Sequence, residues 1–201
     1  MSPVSWGDIF TRPLRGDRII WLRHREQERL PAACNTVYYN RFFEPSASPE
    51  TMPSFIWYFA YASNMNRDQV RSRAGEVSEE KTGKLENYEI VFNKKARGGA
   101  ATANIRPSTG KAVYGILFKI PESALRTLDR FEGAPEHYRR IEVTVTDNQE
   151  SPVRAQVFIA TRVEKGLRPA PHYLQTILQA ATEYQFPAEY VEQLKKTAGL
   201  N

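Results

Sequence analysis

Phe55-Ile56-Trp57-Tyr58-Phe59-Ala60-Tyr61 is an unbroken β-branched and aromatic run that gives way at once to Ala62-Ser63-Asn64-Met65-Asn66. Such side chains suit the crowded, pleated surface of a sheet, so the run reads as a buried strand. Asn66 can cap a helix over Arg67 to Arg73, with Gln69 three residues on as in a capping box and Gly75 as the stop. The polar loop around Ser63 therefore sits between a strand end and a helix N-terminus. Extended to Ala62, the run is the longest apolar stretch in the chain and is far too short to cross a bilayer. Residues 1–16 contain no apolar segment of signal-peptide type, and the single cysteine, Cys34, cannot form an internal disulfide. The expectation is a cytoplasmic protein with no membrane partner.

Downstream, strands are expected at Lys84 to Leu85, Tyr88 to Asn93, Ala101 to Arg106 and Ala112 to Ile120, separated by turn chemistry at Gly98-Gly99 and Ser108-Thr109-Gly110. Pro121 then opens a helix that keeps Ala124, Leu125, Leu128 and Phe131 at helical spacing, and Gly133 followed by Pro135 closes it. Glu132 falls in its last turn. Two alternating strands, Tyr138 to Thr146 and Val153 to Thr161, form a hairpin with Ile141, Val143 and Val145 on one face. A helix carrying Leu174, Ile177, Leu178 and Ala181, and a last one from Pro187 burying Tyr190 and Leu194, complete the chain. Strands first, with helices inserted and appended, give an α+β fold, a small closed or strongly curved sheet flanked by helices.

Upstream, Pro45, Ser46, Ser48, Pro49 and Pro53 mark a linker, and Asp17 to Leu30 offers one short helix but no core. Residues 1–53 are read as an accessory extension and residues 54–201 as the main domain; Met52 could start a shorter, complete product. In all, the chain has 201 residues, 41% hydrophobic and 25% charged, with a formal net charge of +5. Residues 1–53 hold seven Arg and no Lys against six acids, leaving +1 there and +4 in the rest. Acids interrupt nearly every basic group, so no basic stripe forms and no nucleic-acid partner is expected.

The inventory excludes several chemistries. His24, His137 and His172 are spaced unlike metal ligands, and the nucleophile elbow, the phosphate loop and the dinucleotide fingerprint are all missing. Two features remain. The N–H groups after Tyr61, at the positive end of a helix, suit a carboxylate. The negative end of the later helix disfavours ionised Glu132, which should raise its pKa above the reference of about 4.3 and suit it to acid/base work. Each feature alone has an ordinary alternative, a loop cap for the first and a solvated terminal glutamate for the second.

Together these residues resemble the γ-glutamylcyclotransferase family. Tyr58-Phe59-Ala60-Tyr61-Ala62-Ser63-Asn64-Met65 looks like its Y-F-A-Y-G-S-N-[LM] signature, Gly98-Gly99-Ala100-Ala101-Thr102-Ala103 its G-G-x-A-T segment, and Leu128-Asp129-Arg130-Phe131-Glu132-Gly133 its L-D-x-x-E-G block. Tyr138 and Pro169-Ala170-Pro171-His172-Tyr173 match later landmarks, so the resemblance runs in order from about residue 56 to 197.

The resemblance implies a mixed β-barrel, monomeric or homodimeric, and a reaction without metal or cofactor in which a small-molecule γ-glutamyl amide cyclises to 5-oxoproline and releases its amine. Glu132 would be the acid/base, residues Tyr58, Phe59, Ala60, Tyr61, Ala62, Ser63 and Asn64 would bind substrate, and Tyr173 would close the pocket. Asn64 favours the γ-glutamyl-amino-acid or γ-glutamylamine branches over the glutathione-specific one. Ala62 replaces the usual glycine, which would strain the loop if that position required positive φ. The alternative is a catalytically idle relative serving as a small-ligand or protein-binding module.

Overall fold

The computed structural model describes residues 54–200. The readings made for the extension, including its helix, Cys34, His24 and Met52, lie outside the described residues. Five strands, β1 (Phe55–Ala60), β2 (Glu79–Lys95), β3 (Ala101–Pro121), β4 (Tyr138–Asp147) and β5 (Pro152–Ala160), close into a barrel in the order β1-β3-β2-β4-β5. Every pairing is antiparallel except the closing one, where β1 meets β5 in parallel at Tyr58 and Gln156. Closure is narrow at two seams, since β2 meets β4 at Gly83 and Lys84 and β1 meets β5 at a single pair. Helices α1 (Arg67–Ala74), α2 (Leu125–Glu132), α3 (Pro171–Glu183) and α4 (Ala188–Thr197) flank it, giving the α+β mixed barrel that the sequence predicts. Among the described residues, no helix is long and apolar enough to cross a membrane.

The strands are longer than expected. The segments read at Lys84 and Tyr88 are one 17-residue strand, and the two read on either side of Ser108 are one 21-residue strand. The turn chemistry at Ser108-Thr109-Gly110 is real but produces an excursion instead of a chain reversal. Glu86 faces Ala112 and Tyr88 faces Pro107, so residues 108–111 all stand opposite Asn87. Asn87, at φ 60°, holds them through Gly110 N–H to its Oδ1 at 3.1 Å. A second irregularity lies at Asn93, an extra residue on β2 that puts Lys94 opposite Thr102.

Gly83 of β2 faces Gly115 of β3. A Cβ on Gly115 would lie 2.3 Å from the Ala60 carbonyl oxygen and 2.7 Å from Phe59 Cζ, so glycine is what lets β1 pass this close. The fully buried Phe59 ring occupies that room and joins Leu117, Phe118, Leu128, Ile177 and Leu194 in the core. Leu125 and Leu128 dock α2 as expected, but Phe131 does not continue their buried stripe. It is 58% exposed, and the Arg73 guanidinium lies 5.2 Å from its ring centroid.

Candidate active site

The strand end and the loop after it are shaped by local bonds. Past Tyr61 the backbone closes a single 3-10 turn over Ser63–Met65, with Met65 N–H donating to Ala62 O at 2.9 Å and Asn66 N–H to Ser63 O at 3.2 Å. The N–H groups of Ala62, Ser63 and Asn64 come before the first closed turn and are the orphan donors any helix start carries. Ala62 has φ −133° and ψ −140°, outside the left-handed region, so alanine in place of the usual glycine brings no positive-φ strain. Asn66 caps α1 by accepting Gln69 N–H at 2.9 Å. The reciprocal half of the expected capping box does not form, because the Gln69 side chain is turned to Asn64 instead.

Asn64, buried at 8% exposure, is the hub of the site. Its Oδ1 accepts from Gln69 Nε2 at 2.7 Å and from Arg73 Nη1 at 2.6 Å. Its Nδ2 donates to Tyr58 OH and to Glu132 Oε1, both at 2.8 Å. All of the amide's main hydrogen-bonding capacity is thus spent, and its orientation is fixed.

Glu132 is the last residue of α2, which Gly133 ends in the left-handed conformation at φ 62°. Its side chain is only 16% exposed, with Oε1 also 3.8 Å from Arg73 Nη1. Burial raises its pKa above the ordinary carboxyl range, while the Asn64 amide and the Arg73 charge pull the other way and only partly offset it. None of the hydrogen bonds among the described residues uses Oε2.

Tyrosines complete the surroundings. Tyr61 OH donates to Phe158 O at 2.8 Å, Tyr138 OH to Ala103 O at 3.1 Å, and Tyr173 OH accepts Ala103 N–H at 3.1 Å. Burial pushes Tyr173 up to about 12 and raises Tyr58, Tyr61 and Tyr138 further still, so all four are neutral hydroxyls at physiological pH. They border a cavity of about 460 Å³, within the usual span of small-molecule sites. Of the residues expected at the site, Tyr58, Tyr61, Ala62, Ser63, Asn64, Glu132 and Tyr173 line this cavity. Phe59 and Ala60 do not: both are sealed in the core against Gly115. Arg73, Lys94 and His137 line it without having been singled out. Gln69 and Arg73, four apart and so on one face of α1, carried a readable signal; Lys94 did not, since the bulge that places it leaves no mark in composition.

Three motifs far apart in sequence thus meet at one cavity. A human protein named gamma-glutamylcyclotransferase is 31% identical over 150 residues, an alignment spanning 71% of this chain and 78% of the relative. The chain belongs to the γ-glutamylcyclotransferase family. The bovine gamma-glutamylcyclotransferase is 30% identical over 149 residues, 70% of this chain and 77% of its own. A solved gamma-glutamyl cyclotransferase structure superposes with a TM-score of 0.67 at 27% identity, covering 74% of this chain and 90% of that one. The AIG2-like family model matches residues 112–194. As a γ-glutamylcyclotransferase relative, the chain places the loop after β1, the start of β3 and the end of α2 around a single cavity.

Proposed function

We propose that the protein converts a γ-glutamyl amide, a γ-glutamyl-amino acid or γ-glutamylamine, into 5-oxoproline and a free amine. The observation that carries this reading is Glu132: a carboxyl largely withdrawn from water, with a raised pKa, oriented by Asn64 and bordering a cavity walled by neutral hydroxyls. Ionised Glu132 takes a proton from the substrate α-ammonium, and the freed amine attacks its own γ-carbonyl carbon to close a five-membered ring. The orphan N–H groups of the loop hold the glutamyl carboxylate and also donate to the carbonyl oxygen, now an oxyanion. The bond to the departing nitrogen breaks as Glu132 returns a proton to it. Across the cycle both protons that leave the α-nitrogen end on the departing one, and no water oxygen is consumed. Because nucleophile and electrophile belong to one molecule, the cavity's main task is to hold the chain folded toward its ring.

Incubation with a panel of γ-glutamyl-amino acids and γ-glutamylamines, followed by quantitation of 5-oxoproline, tests this reading. Catalytic release from at least one panel member is expected. Binding without release from any of them would leave the idle binding module as the better description.

A further inference from the structure

Lys94 is a lysine where lysine is seldom found. It is 7% exposed, lines the cavity, and forms no ion pair with any acid among the described residues. Among the described residues its Nζ has two long polar neighbours, Lys95 O at 3.5 Å and His137 Nδ1 at 3.4 Å. A buried cation so weakly satisfied is costly to the fold unless something else meets it. The extra residue at Asn93 is what turns Lys94 onto this surface: it moves the register so that Lys94 lies opposite Thr102, itself a cavity residue. Without the bulge, that place beside Thr102 would fall to Asn93.

Position and charge together suggest the partner. The His137 ring packs on Gly133, directly after Glu132, with its Cδ2 2.7 Å from where a Cβ of Gly133 would stand, and Lys94 reaches the Nδ1 of that ring. Lys94, His137 and Glu132 thus border one cavity, His137 in reach of Lys94 and packed on the residue after Glu132. A γ-glutamyl-amino acid carries one ammonium and two carboxylates. On the reading proposed above, Glu132 meets the ammonium and the loop N–H groups meet the glutamyl carboxylate, which leaves the second carboxylate unmatched. Of the other basic residues at the cavity, Lys95 is engaged by Glu164 at 3.1 Å and Arg73 by Asn64, while Arg97 and Arg130 are exposed and keep their charges in water, which leaves Lys94 as the buried one.

We propose that Lys94 determines specificity for the departing half of the substrate, its ammonium receiving the carboxylate of the released amino acid. This inference rests on the cyclotransferase reading. The chain then prefers γ-glutamyl-amino acids to γ-glutamyl amides of uncharged amines.

The test compares γ-glutamyl-alanine with γ-glutamyl-alaninamide, which differ only in that carboxylate. For the unmodified protein, kcat/KM is expected to favour the acid by roughly 10- to 100-fold, the worth of a charge-assisted contact. Lys94→Met should bring the ratio near one by lowering turnover of the acid alone, and Lys94→Arg should restore part of it. An unmodified protein that turns over both compounds equally would overturn the proposal without any variant having to fold. So would a Lys94→Met variant that loses both activities equally, which would place Lys94 on the glutamyl half. Failure of the cyclotransferase reading looks different: no 5-oxoproline from either compound, which removes both.

Discussion

Replacing Glu132 by glutamine isolates proton transfer from everything else the residue does. Glutamine keeps an oxygen able to accept the 2.8 Å bond from Asn64 Nδ2 and nearly the same volume in a pocket where the side chain is 16% exposed. It cannot carry a proton between nitrogens. A positioned acid/base contributes about 10²- to 10⁴-fold, so kcat should fall by that factor, about 3–5 kcal/mol of barrier. Stability should move the other way. The folded pKa of Glu132 lies above its unfolded value, so between the two the folded state binds more protons, and stability is lost as pH rises through that window. At neutral pH the wild type therefore holds a buried carboxylate at a cost that the glutamine variant avoids. Its melting temperature should equal or exceed that of wild type at pH 7, the gap closing as pH falls below the ordinary carboxyl value. Single-turnover 5-oxoproline release and thermal melts at two pH values read both effects. A variant that folds and turns over substrate within about threefold of wild type would refute the assigned role.

Asn64→Ala should orphan groups on Tyr58, Gln69, Arg73 and Glu132, destabilising the fold by about 1–3 kcal/mol in chemical denaturation. It also removes a bond that lowers the Glu132 pKa, so the acidic limb of kcat/KM should move to higher pH. Ala62→Gly relieves no strain at φ −133°, so turnover should not rise and stability should fall by about 0.5–1 kcal/mol; a clear gain in activity would contradict the loop geometry. Gly115→Ala would drive a Cβ into the Ala60 carbonyl and the Phe59 ring, lowering stability by at least about 1–3 kcal/mol, seen as a melting temperature several degrees lower.

What the sequence disclosed follows from which interactions are local. The β1 run, the Asn66 cap and the Gly133 stop are decided within a few residues, and all three stand where pattern alone puts them. Glu132 and the loop around Ser63 were legible because helix ends have a fixed polarity, and Tyr173 through the family resemblance. Long-range partners were not. Gly115 is an unremarkable glycine until β1 crosses it, and the Asn64 hub needs α1, α2 and β1 assembled at once. Gln69 matched a capping-box pattern that the hub overrides: its amide donates to Asn64 Oδ1, and the Asn66 N–H that it would have accepted is taken by Ser63 O. Phe59 and Ala60 belonged to the site motif by sequence, yet their place in it is to fasten β1 to β3 so that Tyr58 and Tyr61 face the cavity.

The central claim is that ring closure, not hydrolysis, breaks the γ-glutamyl bond, and the isotope content of the product decides it. With γ-glutamyl-alanine as substrate in ¹⁸O-enriched water, 5-oxoproline free of ¹⁸O is expected, with one alanine released per ring formed. Free glutamate carrying ¹⁸O in its γ-carboxylate would contradict it.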